Sequence, residues 1–274
     1  MTVDEALGLA RALGVDRLDT QLLLSRELAR PRTWLMAHGD HAVTVQQAES
    51  FQALISRRAA GEPLAYLLGQ KEFHGLALDV AAGVLVPRPD TETLVDWGLQ
   101  LLGGPLAAAS TPRVVDLGTG SGAIALAVQC NCPAAHVSAI EASPTALEVA
   151  RRNAQRLGLP VRFHLGDWWN AIGSERFHLA LSNPPYIAES DEHLASLSYE
   201  PRSALVAGPR GLECVEKIIA GASPHLHPGG WLLFEHGHDQ AQEVRSLLNA
   251  AGYADVQSRP DLAGVQRCTG GRRP

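Results

Sequence analysis

Val114-Val115-Asp116-Leu117-Gly118-Thr119-Gly120-Ser121-Gly122-Ala123-Ile124-Ala125-Leu126 is the stretch whose reading decides the fold. A short apolar run leads into three alternating glycines, and small apolar residues follow them without a break. This predicts a buried strand, a glycine turn and a helix, the layout in which a nucleotide-bearing ligand meets a helix N-terminus. Gly118-x-Gly120-x-x-Ala123 taken alone also satisfies a dinucleotide fingerprint, in which the turn holds a pyrophosphate. Asp116 weighs against that use, because a carboxylate just before the turn repels a pyrophosphate and instead accommodates a ligand with a cationic amino group.

Further landmarks follow in order along the chain. Glu141 ends the apolar run Val137-Ser138-Ala139-Ile140, where a carboxylate can accept both hydroxyls of a ribose. Gly166-Asp167-Trp168 follows the strand-like run Val161 to Leu165, with Asp167 an acceptor for an exocyclic amino group and Trp168 a flat apolar wall. Asn183-Pro184-Pro185-Tyr186 then closes the run His178 to Ser182. Two prolines fix φ at about −65° and supply no N–H, so the carbonyls of Asn183 and Pro184 are free to accept from something else. A carboxamide oxygen beside a backbone carbonyl suits a planar –NH₂ group, and the Tyr186 ring can lie on that group's π-face.

From Arg113 onward strands alternate with helices. Ser143-Pro144 starts a helix whose apolar face is Leu147, Ala150, Ala154 and Leu157, ended by Gly158. A helix over Leu212 to Ile219 leads to the turn Pro228-Gly229-Gly230 and the strand Trp231 to Phe234. Val244, Leu247, Leu248 and Ala251 mark the last helix, and runs near Val256 and Cys268 close the chain as an antiparallel edge. Such alternation predicts an α/β fold with a mostly parallel sheet, in which ligands bind at the carboxyl ends of strands where strand order reverses. If the strands ending at Gly118 and at Asn183 are neighbours, the two pockets adjoin.

The first 70 residues read differently. Thr44-x-x-Gln47 is a capping box before Val45, Ala48, Phe51, Leu54 and Ile55 at helical spacing, and segments 4–13 and 17–29 carry similar stripes, for example Leu18, Leu22 and Leu28. Residues 1–70 are therefore expected as a helical domain that grips a substrate, 71–92 as a hairpin-like linker, and 93–274 as the α/β domain. Net charge is −6 over 274 residues with no basic run, which disfavours broad electrostatic binding of nucleic acid. The N-terminus lacks the blocks of a signal peptide, and no apolar segment approaches membrane-spanning length, so the expectation is a soluble cytoplasmic protein with no membrane partner. The four cysteines read as reduced thiols, since Cys130-x-Cys132 is neither a zinc knuckle nor a redox pair. The pairs His225/His227 and His236/His238 read as ordinary polar histidines, and no metal site is expected.

The ordered set Asp116-Leu117-Gly118-Thr119-Gly120-Ser121-Gly122, Glu141, Gly166-Asp167-Trp168 and Asn183-Pro184-Pro185-Tyr186 resembles the class I, Rossmann-like methyltransferases that modify a planar nitrogen. Gly61-Glu62-Pro63-Leu64-Ala65-Tyr66-Leu67-Leu68-Gly69, Pro87-Arg88-Pro89-Asp90-Thr91-Glu92, Glu200-Pro201-Arg202-Ser203-Ala204-Leu205 and Asp261-Leu262-Ala263-Gly264 with Arg267 narrow it to similarity with the PrmC/HemK family of release factor glutamine methyltransferases. The resemblance runs over essentially the whole chain. It implies S-adenosylmethionine as cofactor, held by Asp116, Gly118, Thr119, Gly120, Ser121, Gly122, Glu141, Asp167, Trp168 and Asn183. It implies as substrate the glutamine of the Gly-Gly-Gln loop of class 1 peptide chain release factors, and as catalytic loop Asn183, Pro184, Pro185 and Tyr186. The family more often has Asp at the Glu141 position, and the added methylene still reaches a ribose. An amide nitrogen is a poor nucleophile and the sulfonium methyl is already activated, so placement and polarisation by Asn183 Oδ1 and the Pro184 carbonyl suffice without a general base. Arg88 and Glu92 either shape the acceptor rim or brace the linker. The alternatives are an adenine or guanine amino methyltransferase of nucleic acid, which would need a basic recognition module, a nicotinamide dehydrogenase, which gives Asn183-Pro184-Pro185-Tyr186 no task, and a non-catalytic relative with a decayed site.

Overall fold

The computed structural model describes residues 1–274, which form two compact units, Met1–Gln70 and Lys71–Pro274. The first unit is helical: α1 (Val3–Ala12), α2 (Arg17–Leu28), α3 (Arg32–Ala37), α4 (Val45–Ala59) and α5 (Leu64–Leu68). Thr2 with Glu5 and Thr44 with Gln47 form capping boxes that satisfy the first amides of α1 and α4. Phe51, Leu54 and Ile55 of α4 meet Val3, Ala6, Leu23, Leu24 and Leu35 in the core, as their spacing predicts. The α2 stripe is a correction. Leu18 is 45% exposed, and the inward residues are Thr20, Gln21, Leu23 and Leu24. The two polar ones are accommodated because Thr20 Oγ1 donates to the Asp16 carbonyl (2.8 Å) and Gln21 Oε1 accepts from Arg32 Nη2 (2.8 Å).

The second unit opens with a hairpin, β1 (Gln70–Phe73) and β2 (Leu76–Asp79), turned by His74 and Gly75 at φ 49° and 78°. Positive φ at both central residues matches the right-handed twist of the flanking strands, and glycine supplies the second at no steric cost. Then follow α6 (Glu92–Gly103), β3 (Arg113–Leu117), α7 (Ala123–Asn131), β4 (His136–Glu141), α8 (Pro144–Leu157), β5 (Arg162–Leu165), β6 (Phe177–Ser182), β7 (Ile187–Ala188), β8 (Val206–Gly208), α9 (Glu213–Ala222), β9 (Leu226–Glu235), α10 (Ala241–Ala250), β10 (Ala254–Pro260) and β11 (Gln266–Arg272). Seven strands form one sheet in the order β10-β11-β9-β6-β3-β4-β5. Its five central and far-edge strands are parallel, and β11 runs antiparallel to both β9 and β10. The α/β sheet with an antiparallel C-terminal edge is thus as the alternation predicts.

Period-two burial gives the sheet two cores. Leu179, Leu181, Trp231 and Leu233 face α6 and α7, while Ala180, Leu232 and Phe234 face α9 and α10. The turn expected at Pro228-Gly229-Gly230 lies inside β9 as an excursion. Phe177 pairs with Leu226 and Leu179 with Trp231, so several residues of β9 stand opposite His178. Gly229 at φ 79° turns the chain, and the amide of Arg273 caps the Gly230 carbonyl at 2.7 Å. The short sheet β7-β8 and the helix α6 lie outside the elements expected from sequence.

Asn153 links α8 to the loops around the switch point. It is fully buried, accepts from the Asp79 amide (2.7 Å) and donates to the carbonyls of Asp79 and Ser121 (both 3.0 Å). Asn153→Ala orphans these three backbone groups, each costing about 1–3 kcal/mol where water cannot replace the bond. Urea unfolding is expected to show a loss of about 2–4 kcal/mol, and a loss below about 0.5 kcal/mol would contradict this role.

Candidate active site

Strand order reverses between β3 and β6, which are paired through Val114↔Leu179 to Leu117↔Ser182. The Ser182 hydroxyl donates to the Leu117 carbonyl at 2.7 Å and holds the two carboxyl ends together. Beyond Leu117 the chain turns through Gly118, Gly120 and Gly122 at φ 77°, 56° and 89°. A side chain on Gly118 would meet the Trp168 ring at 3.2 Å, and one on Gly122 would meet Leu126 at 2.9 Å. At Gly120 the corresponding space is open. The amides of Gly118 and Thr119 both bond the Ile140 carbonyl at 2.9 Å, anchoring the turn to β4.

Glu141 secures the turn from the end of β4, its Oε2 accepting from the Gly120 amide (2.8 Å) and its Oε1 from the Ser143 amide (2.9 Å). Each carboxylate oxygen retains a lone pair for a hydroxyl donor. Trp168 holds φ 49°, and its ring stands against Gly118. Asp167 pairs through Oδ2 with Lys217 Nζ at 2.5 Å, with both side chains about half exposed.

A cavity of about 310 Å³ lies over the turn and is lined by Gly118, Thr119, Gly120, Ser121, Glu141, Asp167, Trp168, Asn183 and Pro185. The structure therefore brings together most of the residues expected around one ligand, in a volume suited to a small organic molecule. A second hollow of about 130 Å³ is lined by Leu85, Arg88, Asn183, Tyr186, Ile187, Leu197, Ala204 and Leu205. Leu85, Arg88, Asn183 and Ala204 border both spaces.

Asp116, Gly122 and Pro184 are not among the residues that line the two cavities. Asp116 is fully buried behind the turn, where its Oδ2 accepts from Thr119 Oγ1 (2.5 Å) and the Ala125 amide (3.1 Å). Burial pushes its carboxyl from 3.8 up to about 7, against the pull of those two bonds, with the Glu141 charge adding to the rise. Gly122 is the N-cap of α7, close-packed on Leu126, and Pro184 is buried. Tyr186 lines only the second hollow. Its phenol is raised to about 12, mainly by burial and then by the Glu235 charge.

Arg88 forms an ion pair with Glu200, whose side chain is 3% exposed and whose Oε2 also accepts from the Val86 amide at 2.9 Å. Glu92 instead braces the hairpin, accepting from the His74 amide at 3.0 Å. The histidine pairs diverge to separate contacts: His225 bonds the Glu175 carbonyl, His227 packs on His178, His236 bonds Thr269, and His238 is exposed.

Sequence reading missed two residues beneath Asn183. Asn183 Nδ2 donates to Thr91 Oγ1 at 3.2 Å, and both lie beside the buried carboxylate of Glu235. Glu235 ends the apolar run Trp231 to Phe234 as Glu141 ends its own run, so the same pattern pointed to it. Burial raises its carboxyl from 4.5 to about 7, while the side chains of Thr91 and Asn183 and the charge of Arg267 favour its ionised form.

The family profile of the PrmC N-terminal domain matches residues 7–69, and that of the methyltransferase small domain matches residues 91–199. The chain is 48% identical to the release factor glutamine methyltransferase of Burkholderia pseudomallei over 98% of its own length and 96% of that protein's. It is also 48% identical to the release factor glutamine methyltransferase of Bordetella pertussis, covering 94% and 95% of the two chains. Among solved structures, the N-terminal domain of human METTL16 in complex with SAH aligns at a TM-score of 0.54 and 18% identity, over 81% of this chain and 83% of that one.

Raised carboxyl values make stability depend on pH with a definite sign. Between about pH 4 and 7 folded Asp116 keeps a proton that the unfolded chain has released, so its contribution to stability is lost as pH rises through that window. The lowered histidines His178, His227 and His236 act oppositely over part of the same range, so the informative quantity is a difference. The stability of Asp116→Asn relative to the parent, measured by urea unfolding, is expected to improve steadily from pH 5 to pH 7.5. A difference independent of pH would contradict the buried, proton-holding state of Asp116.

Proposed function

The chain belongs to the release factor glutamine methyltransferase family, and from that membership we propose that it transfers a methyl group from S-adenosylmethionine to the side-chain amide nitrogen of the Gly-Gly-Gln loop glutamine of class 1 release factors. The observation that carries this reading is the junction at Asn183, which borders both the large cavity over the glycine turn and the smaller hollow beside Tyr186. The residues present fit the cofactor. The space at Gly120 is open to a close-lying ligand, Glu141 offers acceptors for ribose hydroxyls, and Trp168 offers a flat wall. Asp167, bonded to Lys217 through one oxygen, has the other for an adenine amino group. S-adenosylmethionine, when bound, supplies an activated methyl on a sulfonium.

The chain's own residues supply placement. Asn183 Oδ1 and the Pro184 carbonyl accept the two N–H bonds of the glutamine amide, which draws its nitrogen toward the methyl and favours the positive charge that grows there. The second hollow, walled by Leu85, Tyr186, Ile187 and Leu197, is narrow and largely apolar, matching a glutamine stem more closely than a purine held by cationic contacts. Arg88, tied to Glu200, shapes the rim between the two spaces. No general base is assigned; the surplus proton leaves to solvent after transfer. Residues 1–70 serve to grip the release factor, 71–92 link the parts and lend Leu85, Arg88 and Thr91 to the site, and 93–274 carry the rest of the methyltransferase site. No helix is long and apolar enough to cross a membrane, and action on a translation factor supports a cytoplasmic location.

Incubation with methyl-labelled S-adenosylmethionine tests the reading. Intact release factor is expected to be labelled and its loop Gln→Ala variant not, while duplex DNA and ribosomal RNA stay unlabelled. Equal labelling of nucleic acid and release factor would overturn the substrate in favour of an amino methyltransferase of bases. Gly120→Val is expected to abolish cofactor binding by calorimetry, since a β-branched residue at φ 56° both strains the turn and fills the cradle. Deleting residues 1–70 is expected to impair release factor methylation far more than cofactor binding, and a fully active truncated enzyme would contradict their role.

A further inference from the structure

The pairing of β6 with β9 runs to Ser182↔Phe234, so Asn183, just beyond the end of β6, and Glu235, the last residue of β9, follow that pair at the carboxyl end of the sheet. Glu235 is 1% exposed, and its Oε2 has no hydrogen-bond partner. Leaving a carboxylate buried in this way is costly, and a hydrophobic residue would fill the position at lower cost. Its neighbours indicate what it does. Thr91, 4% exposed, accepts the Asn183 Nδ2 proton on Oγ1 at 3.2 Å, so its own hydroxyl proton must point to another acceptor, and the carboxylate flanks it.

A carboxamide has two orientations of nearly equal shape, related by a half-turn that exchanges –NH₂ and oxygen. For the task proposed above only one of them works. Oδ1 must meet the substrate amide, because an –NH₂ facing another –NH₂ sets donor against donor. In its ionised form, which the side chains of Thr91 and Asn183 and the charge of Arg267 favour and which prevails above about pH 7, the Glu235 carboxylate accepts only, and a threonine hydroxyl that donates to it can only accept from Asn183. Together they require the Asn183 –NH₂ to point inward. We infer that Glu235, acting directly on Asn183 and through Thr91, is a positioning residue that fixes the orientation of the Asn183 carboxamide and so presents Oδ1 to the acceptor amide. The same arrangement polarises Asn183, since its N–H bonds point toward negative charge and its oxygen becomes the stronger acceptor. The inference rests on the acceptor role given to Asn183.

A double-mutant cycle tests it. Single-turnover methylation of release factor is measured for the parent, Glu235→Gln, Asn183→Ala and the double variant, with cofactor affinity by calorimetry and melting temperature measured alongside. Glutamine keeps the shape of glutamate but can present either donor or acceptor, so it no longer dictates the orientation. The expected result is a rate loss on the order of tenfold for Glu235→Gln when Asn183 is present, and less than about twofold when Asn183 is already alanine. Cofactor affinity of Glu235→Gln should stay within about twofold of the parent, as Glu235 lines neither cavity. Equal losses in both backgrounds, or none in either, would overturn the inference while leaving the acceptor role intact. A parent-like rate for Asn183→Ala would instead remove the acceptor role itself. If Glu235→Gln does not fold, the same cycle with Thr91→Val and Thr91→Ser decides: coupling of valine but not serine to Asn183 supports the relay, and additivity refutes it.

Discussion

Parallel pairing of β3 with β6 is the constraint on which the rest of the structure depends. The sheet reverses its order there, and one strand delivers a glycine turn while its neighbour delivers a proline-stiffened loop to the same edge. The bond from Ser182 to the Leu117 carbonyl keeps the two ends level. A shift of one residue in this register would turn Leu179 and Leu181 out of one core and Ala180 out of the other, so burial on both faces fixes the register. Geometry at the site is therefore inherited from packing that lies well below it.

Three acids lie at or next to strand ends at this edge, and each works in a different environment. Glu141 sits where backbone amides meet both of its oxygens. Asp116 and Glu235 are fully buried, each with one oxygen lacking a partner. Burial dominates the behaviour of both, raising them toward neutrality. These two acids supply negative charge beneath a sulfonium donor and a nitrogen that gains positive charge mainly when they ionise, above about pH 7, where low-dielectric surroundings strengthen the interaction. The net charge of −6 belongs to the same picture, since nothing in the reaction calls for a phosphate-binding face.

What was legible in the sequence had local causes. The glycine turn could be read because positive φ at 118, 120 and 122 leaves glycine as the residue without strain, and the proline pair after Asn183 could be read because it removes donors. Alternation of apolar runs gave the parallel sheet and its antiparallel edge. The parts that escaped are set by contacts between distant positions. Thr91 and Asn183 are 92 residues apart, and Asp79 and Asn153 are 74 apart. The inward face of α2 escaped because Thr20 and Gln21 find polar partners locally and can be buried, leaving Leu18 outside. Asp116 was legible as an acid beside the turn but not as one sealed behind it, since its depth depends on α7 folding back over β3.

The account centres on Asn183 as the meeting point of donor and acceptor, and a crystal structure of the protein with S-adenosylhomocysteine and a glutamine-containing Gly-Gly-Gln peptide tests that most directly. The expected result places the nucleoside along Gly118 to Gly122 with its ribose on Glu141, and the glutamine amide nitrogen within about 2.7–3.2 Å of Asn183 Oδ1. A glutamine side chain bound away from Asn183, or a cofactor lodged outside the glycine turn, would contradict it.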